Sequence, residues 1–176
     1  YKKKEDITLI EIDKFLEENK EQLKIEYIDF DYAIINPKNL IGTDEFNQIF
    51  YDKIDEIEID ISNNLDLKTI VQKFDIKPVT VSNFRFSPSK NNIEKKIFES
   101  KDIEFDIIEN ENNFILYKIK NSEERSPDLN DEETKKEILN LIHQKSKFDY
   151  NSELLNKINS NKFSDNDFTI MGQNKV

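Results

Sequence analysis

The stretch Ile25-Glu26-Tyr27-Ile28-Asp29-Phe30-Asp31-Tyr32-Ala33-Ile34-Ile35 decides the fold. Ile28, Phe30, Tyr32 and Ile34 alternate with Asp29, Asp31 and Ala33, and a period of two over that length specifies a β-strand with one wet face. Asn36-Pro37 stops it. Upstream, Leu9, Ile12, Phe15 and Leu16 recur at helical spacing within residues 8–22. Thr8 caps that helix, and Glu11 completes a capping box.

Downstream, after Ile41-Gly42, Thr43 is positioned to cap a second helix whose stripe is Phe46, Phe50, Ile54, Ile57 and Ile61. Ser62-Asn63-Asn64 breaks it, and Asp66 opens a short third helix carrying Leu67, Ile70, Val71 and Phe74. Lys77-Pro78 ends the helical region, because the residue before proline is pushed out of the helical basin. Val79, Val81, Phe84 and Phe86 form a second strand, punctuated by Ser82-Asn83 and closed by Ser87-Pro88-Ser89. Asn91 or Asn92 starts a short helix with Ile93, Ile97 and Phe98. Apolar runs over residues 105–108 and 114–119, joined by a short polar segment, predict a hairpin. Residues 123–128 are expected to be a charged linker, with Asn130 and Glu133 capping a helix that uses Ile138, Leu141 and Ile142. A separate last helix is expected to hold Leu154, Leu155 and Ile158.

This order specifies an α+β fold: a small antiparallel sheet with helices, flanked by N- and C-terminal helices. The expected divisions are residues 1–24, a sheet-bearing domain over 25–121, and a linker with helices over 122–176. The flanking helices are candidates to pack on each other and to self-associate.

Composition narrows the chemistry. The chain has 176 residues, 36% of them apolar, enough for one medium core with helical flanks. It has no cysteine and two glycines, Gly42 and Gly172, so glycine-rich phosphate loops, nucleophile elbows and thiolate metal sites are excluded, and no cofactor is expected. The net charge of −11, with both signs interleaved, argues against nucleic acid as a partner. No apolar run approaches the roughly 20 residues of a membrane span. The start, Tyr1-Lys2-Lys3-Lys4-Glu5-Asp6, leads into no signal-type apolar segment, so the chain is expected to be an internal piece whose anchor or signal would lie upstream. The acids Asp52, Asp55, Glu56, Glu58 and Asp60 follow helical spacing without calcium-loop geometry and are expected to form a wet helix face. The single histidine, His143, is expected to be a solvent-facing helix residue.

Residues 25–120 resemble the parvulin type of peptidyl-prolyl isomerase domain, whose order is a strand, a helical stretch, a strand, a short helix and two antiparallel strands. Ile61-Ser62-Asn63-Asn64-Leu65-Asp66-Leu67-Lys68-Thr69-Ile70-Val71 is similar to the family's turn I-x-x-G-x-D-F-x-x-L-A. Residues 93–98 resemble its short helix, F-x-x-A-x-F, and Asn113-Phe114-Ile115-Leu116-Tyr117-Lys118-Ile119 its closing strand, G-Y-H-I-I-K-V. The flanks resemble those of periplasmic folding chaperones of the PpiD and SurA kind: Phe15-Leu16-Glu17-Glu18-Asn19-Lys20-Glu21-Gln22-Leu23 leads into the first strand, and Pro127-Asp128-Leu129 precedes a helix.

The departures bear on function. Active parvulins carry one histidine on the first strand and one on the last, above an apolar pocket for the substrate proline. Here the last-strand position is Ile115, and the first strand offers only Tyr27, Asp29, Asp31 and Tyr32. The glycine-rich turn after the second strand is missing. The resemblance implies a degenerate parvulin-like domain that binds unfolded or proline-containing polypeptides with isomerase activity lost. Phe84, Phe86, Phe98 and Ile115 would be its substrate contacts, and no residue would be catalytic. It also implies a periplasmic location, at the inner membrane only through an upstream anchor. The alternatives are an active isomerase with an atypical site, and a non-catalytic scaffold or oligomerisation domain.

Overall fold

The computed structural model describes residues 3–87 and 92–173. Pro88, Ser89 and Asn91, invoked above as strand end and helix start, lie outside the described residues. Residues 25–125 form one compact unit; the segments before and after them form a second.

The sheet unit is built on β1 (Ile25–Ile35), paired antiparallel along its whole length with β4 (Asn113–Arg125), from Ile25 opposite Arg125 to Ile35 opposite Phe114. β2 (Val79–Phe84) pairs with the other side of β1, and β3 (Phe105–Asn110) forms a hairpin with β4, giving the order β2-β1-β4-β3. The fold is α+β, as the patterning specifies. β4 is longer than expected: its last residues extend the pairing with β1, so the expected boundary at 121 and the start of the expected linker at 123 both fall inside a strand.

Only part of β1 has a wet face. Ile28, Phe30 and Tyr32 enter a core with Phe84, Ile97, Ile115, Tyr117 and Ile119. Ala33 and Ile35, of the other parity, are fully buried in a second core with Phe50, Ile57, Ile70 and Leu116. The wet positions are Asp29 and Asp31, and both flank irregularities in the pairing. β2 carries an extra residue between Val81 and Phe84, where Asn83 takes φ 54°, and β4 carries one at Lys120. Asp29 Oδ1 accepts from the Asn83 N–H at 2.6 Å, and Asp31 Oδ1 accepts from Thr80 Oγ1 at 2.6 Å and Lys120 Nζ at 2.8 Å. Burial disfavours the Asp31 charge, but the Lys120 and Thr80 hydrogen bonds outweigh it and hold its pKa below the usual aspartate value.

Two helices cover the second core. α3 (Gln48–Ser62) buries Phe50, Ile54 and Ile57; α4 (Leu67–Lys73), capped by Asp66, buries Leu67, Ile70 and Val71. The cap of α3 is Asn47, whose Oδ1 accepts from the Phe50 N–H, rather than Thr43. Thr43 is displaced because a short helix, α2 (Pro37–Ile41), capped by Asn36, occupies the chain first and ends at Gly42 with φ 73°. Phe46 therefore precedes the helix it was assigned to. Lys73 joins α4 to α3 through Glu56 at 2.8 Å and Asp60 at 2.7 Å.

On the other face α5 (Asn92–Glu99) inserts Ile97 into the first core. The Tyr117 hydroxyl donates to the Ser100 carbonyl at 2.9 Å, which ties the end of α5 to the sheet.

The helical unit contains α1 (Leu9–Glu18), with the expected Thr8–Glu11 capping box. The two helices expected after residue 130 are one helix, α6 (Glu132–Asn159), and its cap is Asp131 rather than Asn130. Asp131 Oδ2 accepts from Thr134 N and Oγ1 at 3.0 and 2.6 Å. Asn161, at φ 54°, follows its end. α7 (Asp165–Gln173) was not read from the sequence. Ser164 and Asp167 cap its start reciprocally, and Lys157 of α6 bonds Asp167 at 2.9 Å. The Ser164 bonds first, then Lys157, lower the Asp167 pKa to about 2.

Burial, then the charge of Asp106, raise the Tyr117 pKa to about 12, against an ordinary value of 10.0. A raised folded-state pKa stabilises fully below pH 10, and that contribution fades as pH rises toward 12. Tyr117→Phe should cost about 1 kcal/mol in urea unfolding at pH 8, by losing the bond to Ser100. It should also lose less stability than the parent between pH 9 and 11. Equal pH slopes in the two proteins would refute this role for Tyr117.

Candidate functional site

The four residues expected to contact substrate all belong to, or pack against, the first core. Ile115, the third residue of β4, is fully buried. Phe84, the last residue of β2, is 3% exposed. Phe98 on α5 is partly buried against them, and Phe86, two residues beyond β2, is 42% exposed. Phe84 and Ile115 are thus core residues.

The aromatic rings form a chain from interior to surface. Phe30 meets Phe84 edge-on at 5.8 Å between centroids, Phe84 meets Phe98 at 6.0 Å, and Phe98 meets Phe86 at 5.8 Å. These separations lie in the range where tilted aromatic pairs attract beyond their buried area. Two ammonium groups cover the outer rings: Lys95 Nζ is 5.3 Å from the Phe86 centroid and Lys101 Nζ is 4.5 Å from that of Phe98. Lys101 also pairs with Glu26 at 3.2 Å. The sequence reading found the rings; the lysines, spaced along α5 and its exit, it did not connect to them.

The polar groups of β1 are committed elsewhere. Asp29 and Asp31 alternate away from the ring chain and hold the bulges, and Tyr27 lies under the Arg125 guanidinium at 4.8 Å. Two phenols remain in this core, Tyr32 and Tyr117. Burial, and then Glu94, push Tyr32 upward, while Tyr117 rises to about 12, so both stay protonated at neutral pH and neither is a base there. Among the described residues the arrangement offers apolar and cationic contact.

The acids of α3 are not all wet: Asp60, expected on the solvated face, is buried where Lys73 of α4 bonds it, while Asp52, Asp55 and Glu58 are exposed. Glu56 bonds Lys53 at 2.6 Å and Lys73 at 2.8 Å, and among the described residues no group of three or more acidic or imidazole side chains could hold a metal. His143 is half-buried on α6, less open than expected. The helical unit leaves apolar side chains outside, among them Leu9, expected on the apolar stripe of the first helix. Leu9 and Ile10 on α1 are 72% and 79% exposed, and Phe168 on α7 is 72% exposed. No described helix is long and apolar enough to cross a membrane.

Comparison of the chain with protein-family models, with curated proteins and with solved structures gave no match.

The two ends of the ring chain should respond differently to truncation. Phe84→Ala should cost about 3–4 kcal/mol in denaturant unfolding, by opening a cavity between Phe30 and Phe98. Phe86→Ala should cost about 0.5 kcal/mol. Comparable losses would mean that Phe86 is as much a part of the core as Phe84.

Proposed function

We propose that the chain is a polypeptide-binding module of a folding chaperone, a parvulin-like domain whose proline pocket has closed, flanked in sequence by helices that also contact unfolded chain. The observation that carries this reading is the ring chain itself. By the resemblance Ile115 stands where the family has its last-strand histidine; it is fully buried in one core with Phe84, and Phe86, stacked beyond Phe98, is exposed. Prolyl isomerisation requires a site that holds a twisted amide, whose barrier is about 18–20 kcal/mol, with polar groups around its carbonyl. The burial of Ile115, Phe84 and Ile97 in one core supports a closed pocket, and the Tyr117 hydroxyl in that core already donates to the Ser100 carbonyl.

Binding is another matter. An exposed aromatic ring beside lysines attracts apolar segments of either charge balance, since the ammonium stems can cover hydrocarbon while the heads stay wet. Exposed Leu9, Ile10 and Phe168 add apolar contacts of the kind that unfolded chains satisfy and that a monomeric surface ordinarily hides. By the family resemblance the location is periplasmic, and the clients are unfolded or newly translocated polypeptides. Neither a cofactor nor nucleic acid enters this scheme.

Exchange NMR of a proline-containing peptide, with the protein added substoichiometrically, tests both halves. The expected result is an unchanged cis/trans exchange rate together with chemical-shift changes around Phe86 and Lys95, and suppressed aggregation of an unfolded reference protein. Accelerated exchange would overturn the closed pocket. Absence of both shift changes and aggregation suppression would overturn the binding role.

A further inference from the structure

The outward side of α6 carries Leu141, Phe148 and Leu155, which are 41%, 70% and 57% exposed. They recur at intervals of seven, the repeat that keeps an apolar seam aligned along a contact between two helices. The other helices of the unit leave the three seam residues open, since α6 lines its groove with α1 through Ile142, Lys145, Ser146 and Asp149, the two charges standing at the rim between groove and seam, and its recess with α7 through Leu154 and Lys157.

We propose that α6 pairs antiparallel with α6 of a second copy of this chain, across a two-fold axis at Phe148. The pattern reads the same from either end: Leu141 precedes Phe148 by seven residues and Leu155 follows by seven. Antiparallel partners therefore set Leu141 against Leu155 twice and Phe148 against itself, the self-matching arrangement that two-fold symmetry demands. Charge agrees with this occupant. Lys145 and Asp149 flank the seam on one side, 2.9 Å apart within one helix and with side chains 51% and 57% exposed. The same axis brings Lys145 of each copy toward Asp149 of the other, so four charges alternate in sign around Phe148. A second copy supplies the matching seam and the complementary charges by symmetry alone. Three side chains a side bury less than the roughly 800 Å² per partner of a standard interface, so the pairing is weak and concentration-dependent.

This pairing is separate from client binding, and the tests separate the two. Sedimentation equilibrium of the chain over roughly 10 to 500 µM should give a monomer–dimer equilibrium, and Phe148→Glu should raise its dissociation constant at least about tenfold, or roughly 1.4 kcal/mol. Circular dichroism should remain unchanged, since Phe148 is 70% exposed. Because the chain has no cysteine, Leu141→Cys and Leu155→Cys report geometry directly. A mixture of the two variants should form the crossed disulfide, while Leu141→Cys alone should not link to itself. A monomer throughout, a dimer indifferent to Phe148→Glu, or self-linking Leu141→Cys would each overturn the proposal. Suppression of aggregation by the Phe148→Glu variant would leave client binding intact whatever the oligomeric result.

Discussion

The pairing of β1 with β4 is the constraint from which the sheet unit follows. Eleven residues of β1 are matched without a gap at either end, so β1 is bordered on both sides and, over its second half, buried on both faces. A one-residue slip in that register would exchange Phe30 and Tyr32 with Asp29 and Asp31, bringing carboxylates into a core that offers them no partner. The register is therefore fixed by chemistry as well as by hydrogen bonds. The two bulges lie where that demand is met, with Asp29 accepting the N–H of Asn83 and Asp31 holding Lys120. Each aspartate joins β1 to a neighbouring strand at the point where regular pairing is interrupted.

Because β1 is two-sided, the helices divide between faces. α3 and α4 cover Ala33, Ile35 and Leu116, and α5 covers Phe30, Ile115 and Tyr117. The two coverings differ in how they are held. α3 and α4 bring a wide apolar stripe and are joined by Lys73 to Glu56 and Asp60. α5 is only eight residues long and is held by Ile93, Ile97 and Phe98, by the Lys96 ammonium donating to the Glu109 carbonyl and by the Tyr117 hydroxyl bond to Ser100. A helix that short marks the face where local opening costs least. That face is also the one from which Phe86 emerges.

Much of this was legible in the sequence, and the failures share a cause. The strand Ile25–Ile35, the Thr8–Glu11 box and the Asp66 cap were read correctly because the signal and its partner lie within four residues. Thr43 is a good cap by type, and so is Asn47, which the structure uses. What decides between them is the preceding α2, whose five residues are too few to show a period. Likewise α6 was divided because its apolar residues change face: Ile138 turns inward while Phe148 and Leu155 turn outward, which breaks a one-sided stripe without breaking the helix. The candidate site was legible in residue identity but not in exposure. Phe84 and Phe86 share a parity along the chain, yet one is buried and the other open, because β2 ends between them.

That difference bears on the proposed loss of an isomerase site, because the ring chain occupies the face where the resemblance would put one. A histidine in place of Ile115 would have to be buried among Tyr117, Phe30 and Ile97, where its imidazole would need hydrogen-bond partners that these side chains do not supply, apart from a phenol already donating to Ser100. Opening a proline-sized cavity beside it would remove contacts from Phe84 and Phe98, and large-to-small changes in such a core cost about 3–5 kcal/mol each. Domains of this size have only about 5–15 kcal/mol in total. A sheet unit that keeps Ile115 and Phe84 has committed this face to stability, and in the proposed function only the exposed end of the ring chain, Phe86 beside Lys95, is left to hold apolar chain.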